Sequence, residues 1–113
     1  MKYLLLQPDI YPLTFHVLIG KWNRKEAKSI DKRFRRLEDP NESGGSWDCG
    51  SHQVIWMRSA KTLKARGIII HEMEHAVLQA ADHLGFEDTD RASEFYTYLM
   101  QWLFMEIWQW LDR

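Results

Sequence analysis

Apolar and polar positions along this chain follow two periods. Short runs at residues 3 to 6 and 14 to 19 ("TFHVLI") are rich in branched and aromatic side chains and bounded by Pro or Gly, which predicts two strands. In "NRKEAKSIDKRFRRL" the period lengthens, and Ala27, Ile30, Phe34 and Leu37 form one apolar stripe at helical spacing. Asn23 followed by Glu26 has capping-box spacing, with Trp22 placed to pack back as a staple. The turn formers of "DPNESGGSWDCG" predict a loop over about residues 39 to 47. "SHQVIWMR" returns to strand composition, with Val54 and Trp56 on one face and Ile55 and Met57 on the other, so this strand lies against a core. A helix then begins near Ser59 or somewhat later and runs to Leu84, where Gly85 suits the left-handed residue that ends helices. Gly67 within it marks a kink or a break. Asp88 or Thr89 caps a last helix that continues to about Leu111 on a stripe of Ala92, Phe95, Leu99, Trp102 or Leu103, and Ile107. Strands, helix, strand, helix, helix is an α+β order.

Composition narrows the setting. With 113 residues, the chain 1–113 makes one domain with a single modest core. A hydrophobic share of 45% with six Trp, five Phe and four Tyr excludes general disorder. The lone Cys49 excludes an internal disulfide, so a reducing cytoplasm is expected, with Cys49 itself an inert thiol. The opening apolar triplet is interrupted by Gln7, Pro8, Asp9 and Pro12 before it reaches signal-peptide length and reads as mature sequence. "YLMQWLFMEIWQWL" is broken by Gln101, Glu106 and Gln109 and falls short of the roughly 20 apolar residues of a membrane span. Its Trp102, Phe104, Trp108 and Trp110 spread round more than one face, an excess that suits either a buried helix or self-association. Net charge is −1, but eight basic residues between Lys21 and Arg36 stand against Glu26 and Asp31. That segment is a solvated helix face or, alternatively, a face for an anionic partner such as nucleic acid. His16 and His52, on predicted strands, read as structural or exposed.

The candidate chemistry lies in "IIIHEMEHAVLQAADHLG". Residues four apart on a helix lie one above the other, so His71 and His75 point the same way and can converge on one ion. Glu72, about 100° further round, is placed to reach a water there without being a ligand. Ile69, Met73, Ala76 or Val77, Ala80 and Leu84 give the helix a separate core stripe. A catalytic zinc takes three protein ligands and keeps one open position. His83, eight residues beyond His75, has the wrong spacing for a third histidine on the same pattern. Glu94 on the next helix can return to the histidines if "GFEDTD" folds the two helices into an antiparallel pair. Asp82, His83, Asp88 and Asp90 stand as alternatives.

His71-Glu72-Met73-Glu74-His75 followed by Glu94 within "SEFYTYL" resembles the gluzincin class of zinc metallopeptidases, and within it the small zincin-like proteins of phages and mobile elements, including ImmA/IrrE-like peptidases. The resemblance covers roughly residues 47 to 104. It departs at Thr97, where many relatives carry Ala or Ser, and at Gly67 ahead of the motif. It implies a minimal zincin-like fold: short strands, an N-terminal helix, the motif helix and a long C-terminal helix. It also implies Zn2+ on His71, His75 and Glu94, with Glu72 as general base for hydrolysis of a peptide or protein substrate. The substrate strand would pair with the edge at 51 to 57, and Tyr96 or Tyr98 would donate to the oxyanion. A zinc-stabilised module of the same shape that binds a partner without cutting it is the competing expectation.

Overall fold

The two expected N-terminal strands form as β1 (Lys2–Leu6) and β2 (Thr14–Ile19) and pair antiparallel. The computed structural model describes residues 1–40, 43–86 and 90–113, without the side chains at 90–92. Beyond β2, the chain forms α1 (Arg24–Ile30), where the Asn23 side chain accepts from the Glu26 backbone N–H at 2.9 Å, as the capping pattern predicts. The Glu26 carboxylate instead takes an ion pair from the Met1 ammonium at 2.6 Å.

The single helix expected through Leu37 is two pieces. Asp31 adopts extended backbone (φ −149°, ψ 134°), and its carboxylate caps a 3₁₀ turn over Lys32–Arg36 by accepting from Arg33 N–H at 2.8 Å. Asp is a poor residue for a helix interior and a good one for a cap, because its side chain competes for backbone N–H groups. The apolar stripe survives the break, since Ala27, Phe34 and Leu37 all remain buried.

The loop expected over 39 to 47 contains the start of a strand, β3 (Gly44–Cys49), which pairs antiparallel with β4 (His52–Met57). β4 also pairs in parallel with β2, giving a mixed sheet in the order β1-β2-β4-β3. Gly44 is required by a close approach. A Cβ there would stand 2.5 Å from Ile68 Cγ2 and 3.2 Å from Glu72 Cγ, both on the helix that follows.

That helix is α2 (Leu63–His83), capped by Thr62, whose hydroxyl accepts from Ala65 N–H at 3.1 Å. It runs unbroken through Gly67, where no neighbour lies within 4 Å of a built Cβ, so the expected kink is absent. Its end follows the expected left-handed stop: Gly85 has φ +77°, with Gly85 N–H bonded to Asp82 O and Phe86 N–H to Ala81 O. α3 (Asp90–Leu111) completes the chain. The expected caps Asp88 and Thr89, and the side chain of Ala92, lie outside the described residues.

The α+β class is as expected, with the sheet covered on both faces. Ile55 and Met57 of β4 share one core with Phe15, Val17, Ile69, Met73, Phe95 and Leu99. Val54 and Trp56 face the other way, into a smaller cluster with Leu18, Ala27, Phe34 and Leu37. Each large side chain so buried stabilises the fold by about 1.5–3 kcal/mol. α2 therefore turns one side to the sheet and the opposite side to solvent. Among the described residues no helix is long and apolar enough to cross a membrane.

Candidate functional site

On the solvent side of α2 the two motif histidines meet. His71 Nε2 and His75 Nε2 are 3.1 Å apart, with ring centroids 4.6 Å apart and planes at 83°. Two nitrogens bound at zinc distances on a tetrahedron are separated by about 3.3 Å, so the pair fits that ion with a small adjustment. In the metal-free protein one ring donates N–H and the other accepts. The side chains reach this arrangement because Ile69, Met73, Ala76, Val77 and Ala80 hold the far side of the helix in the core.

Glu72 occupies the flank between these faces, 8% exposed, against Gly44 of β3. Its carboxylate is thus tucked beside the outer strand of the sheet. The strand expected to receive a substrate, 51 to 57, is interior: β4 is paired on both sides, and the free edge beside α2 belongs to β3. Glycine and polar residues on β3 disguise it as a loop.

Glu94 lies exposed on α3, next to Ser93, Thr97, Tyr98 and Gln101 around a shallow depression of about 350 Å³. Phe95 is committed to the core, which turns the preceding residue outward. Among the described residues, the three-membered group of His, Cys, Asp or Glu side chains whose ligand atoms all lie within 4.8 Å of one another is His16, Asp31 and His52; Glu94 does not join His71 and His75 at that spacing. Asp82 and His83 do not join them either, and His83 instead lies near the Gly50 turn. Asp88, and the side chain of Asp90, lie outside the described residues. Tyr96 is partly buried beside Glu74, and its hydroxyl pKa is raised by burial and by that carboxylate. Tyr98 is exposed and makes an edge contact with Tyr11 at 6.1 Å.

The group that sequence reasoning missed lies on the opposite face of the sheet. His16 Nε2 and His52 Nδ1 are 2.9 Å apart, Tyr3 Oη is 2.7 Å from His16 Nδ1, and Asp31 closes the group from the capped 3₁₀ turn. Arg33 Nη1 bonds Asp31 Oδ2 at 2.8 Å and stands 3.4 Å from His52 Nδ1. His16 is 2% exposed, and burial, with help from His52 and against the pull of Asp31, lowers its pKa to about 4. Burial and the Arg33 cation lower that of His52. Cys49, opposite His52 in the β3–β4 ladder, has a thiol pushed up by burial and by Asp48. The one available signal was alternation: His16 shares a face with Leu18, and His52 with Val54 and Trp56. Without the β2–β4 pairing, that does not bring the two histidines together.

The basic residues from Lys21 to Arg36 are exposed over α1 and the 3₁₀ turn, with Arg33 paired to Asp31. On α3, Phe104 is exposed and stacks on the partly buried Trp108 at 4.4 Å, while Trp102 and Trp110 pack partly against the core. Comparison with protein-family models, curated proteins and solved structures returns no match.

Proposed function

We propose that this chain is a zinc-dependent peptidase of the gluzincin kind, centred on His71, Glu72 and His75. The observation that carries the reading is the solvent-facing pair of Nε2 atoms 3.1 Å apart, with a carboxylate one residue on, beside the free edge of β3. In this reading His71 and His75 would hold the ion, and Glu94, which stands apart from them in this structure, would have to move in to serve as the third ligand. When bound, zinc lowers the pKa of water and polarises a scissile carbonyl. Glu72 takes the proton from the attacking water and returns it to the leaving amine, so the proton count closes within the site. An extended substrate adds to the β3 edge, where backbone hydrogen bonds supply affinity and flanking pockets supply selectivity. Tyr98, exposed and lining the same shallow depression as Glu94, is the tyrosine assigned to the developing oxyanion.

Glu72→Gln is the decisive variant. Turnover of a peptide library, read by mass spectrometry, should fall by roughly 10²–10⁴-fold, the usual contribution of a positioned general base, while zinc content stays at the wild-type level. Cleavage at an unchanged rate would remove this mechanism. A second reading, a zinc-stabilised binding module without turnover, is favoured by the separation of Glu94 from the two imidazoles. It predicts that Zn2+ raises the thermal midpoint of the wild-type protein while no peptide in the library is cut.

A further inference from the structure

We propose that His16, Asp31 and His52 form a second divalent-metal site, for a first-row transition ion with Zn2+ foremost, on the sheet face opposite His71 and His75. It stands independently of the peptidase reading.

Three donors converge from three separately held elements. His16 comes from β2, His52 from β4, and Asp31 from the cap of the 3₁₀ turn, with the ligand atoms all within 4.8 Å of one another. Two imidazoles and one carboxylate suit zinc and its neighbours, and three protein ligands leave coordination positions open to water. The two nitrogens at 2.9 Å need to part by about 0.4 Å to reach the spacing of a tetrahedral zinc.

The hydrogen-bond chain around His16 shows what an ion would replace. Tyr3 Oη lies 2.7 Å from His16 Nδ1 and His16 Nε2 lies 2.9 Å from His52 Nδ1, so one proton is shared between the rings. Because the Arg33 Nη1 donor also points at His52 Nδ1, the tautomer that satisfies all three contacts has His52 Nδ1 accepting and His16 Nε2–H donating. An ion takes the place of that proton. Neutral His16 has one ring proton, so on ion binding that proton moves from Nε2 to Nδ1. The Tyr3 hydroxyl turns its own proton away and accepts from Nδ1–H, and this contact fixes ring and tautomer as outer partners of metal-bound histidines do. Arg33 is the opposing feature. Its guanidinium neutralises Asp31 and stands beside His52, but its side chain is half exposed and free to swing into solvent.

The test is a Zn2+ titration by calorimetry on the double variant His71→Ala/His75→Ala, which lacks the first histidine pair. The expected result is one equivalent bound, with the imidazole ¹⁵N signals of His16 and His52 shifted together. Adding Asp31→Asn should abolish this binding while the amide side chain still caps the turn, so circular dichroism should show an intact fold. Tyr3→Phe should weaken it by about tenfold, and Arg33→Ala should tighten it roughly three- to fivefold by removing a competing cation. A folded double variant that binds no Zn2+, or one whose binding survives both Asp31→Asn and His52→Ala, overturns the proposal. Wild-type stoichiometry separates the two readings: two equivalents if both sites hold, one remaining in the double variant if only this site does.

Discussion

The molecule carries two histidine pairs of nearly equal spacing, 3.1 Å on α2 and 2.9 Å across β2 and β4, and they differ in almost everything else. The α2 pair is made by one turn of helix and lies in solvent. The sheet pair joins residues 36 positions apart, lies largely under the 3₁₀ turn, and is tied into a chain with Tyr3, Asp31 and Arg33. Equal distances therefore carry unequal consequences. An exposed pair costs the fold little, whereas a pair with one buried and one half-buried ring is part of what holds the fold together, whether or not it also takes an ion.

The largest expected effect tests the solvent-facing side of this contrast. Glu72→Gln should remove about 3–5 kcal/mol of transition-state stabilisation and leave zinc affinity within experimental error. Parallel losses in turnover and metal content would instead mean that Glu72 supports the ion.

Next comes acid sensitivity, which belongs to the buried side. In metal-free protein under chelator, His16 titrates near 4 when folded and near 6.5 when unfolded. The unfolded chain thus binds the additional proton between those values, and stability falls as pH drops from 6.5 toward 4. The loss reaches about 3 kcal/mol and adds nothing above pH 6.5 or further below pH 4. His52, shifted in the same direction, acts with the same sign. Urea unfolding of wild type and His16→Gln across this range isolates the contribution; identical pH profiles would contradict it.

A smaller loss is expected from Gly44→Ala, since the new methyl meets Ile68 at 2.5 Å. Overpacking of this kind costs about 1–3 kcal/mol, readable as a lower urea midpoint, and a neutral result would mean that β3 and α2 separate easily. The smallest effect is that of His71→Ala in metal-free protein, within about 0.5 kcal/mol for an exposed side chain. A loss as large as that of a core residue would erase the distinction between the two pairs.

How much of this was legible in the sequence follows from how local each feature is. The His71–His75 pair, the Asn23 cap, the Gly85 stop and the bounds of β2 depend on residues a few positions apart, and all four form as read. The break at Asp31 escaped because Ala27, Ile30, Phe34 and Leu37 keep one apolar face whether or not the helix is interrupted between them. β3 escaped because the strand beneath α2 must begin with a residue lacking Cβ, and Gly44-Gly45-Ser46 carries the composition of a turn. The edge assigned to 51 to 57 moved outward for the same reason. His16 and His52 meet only through a parallel pairing that no spacing reveals. Glu94 shows the converse limit: helical phase set by Phe95 and Leu99 faces it away from the core, which the distance in sequence from His75 does not disclose.

The bare backbone at Gly44 has a mechanical consequence. With no side chain to act as a cushion, the rim of the sheet rests directly on the turn of α2 that bears Glu72. Under the proposed activity, a polypeptide seated along that rim would press the strand's main chain against the Ile68 and Glu72 side chains. Gripping the substrate and aligning the proton carrier then become a single displacement, and no separate flap is needed to couple them.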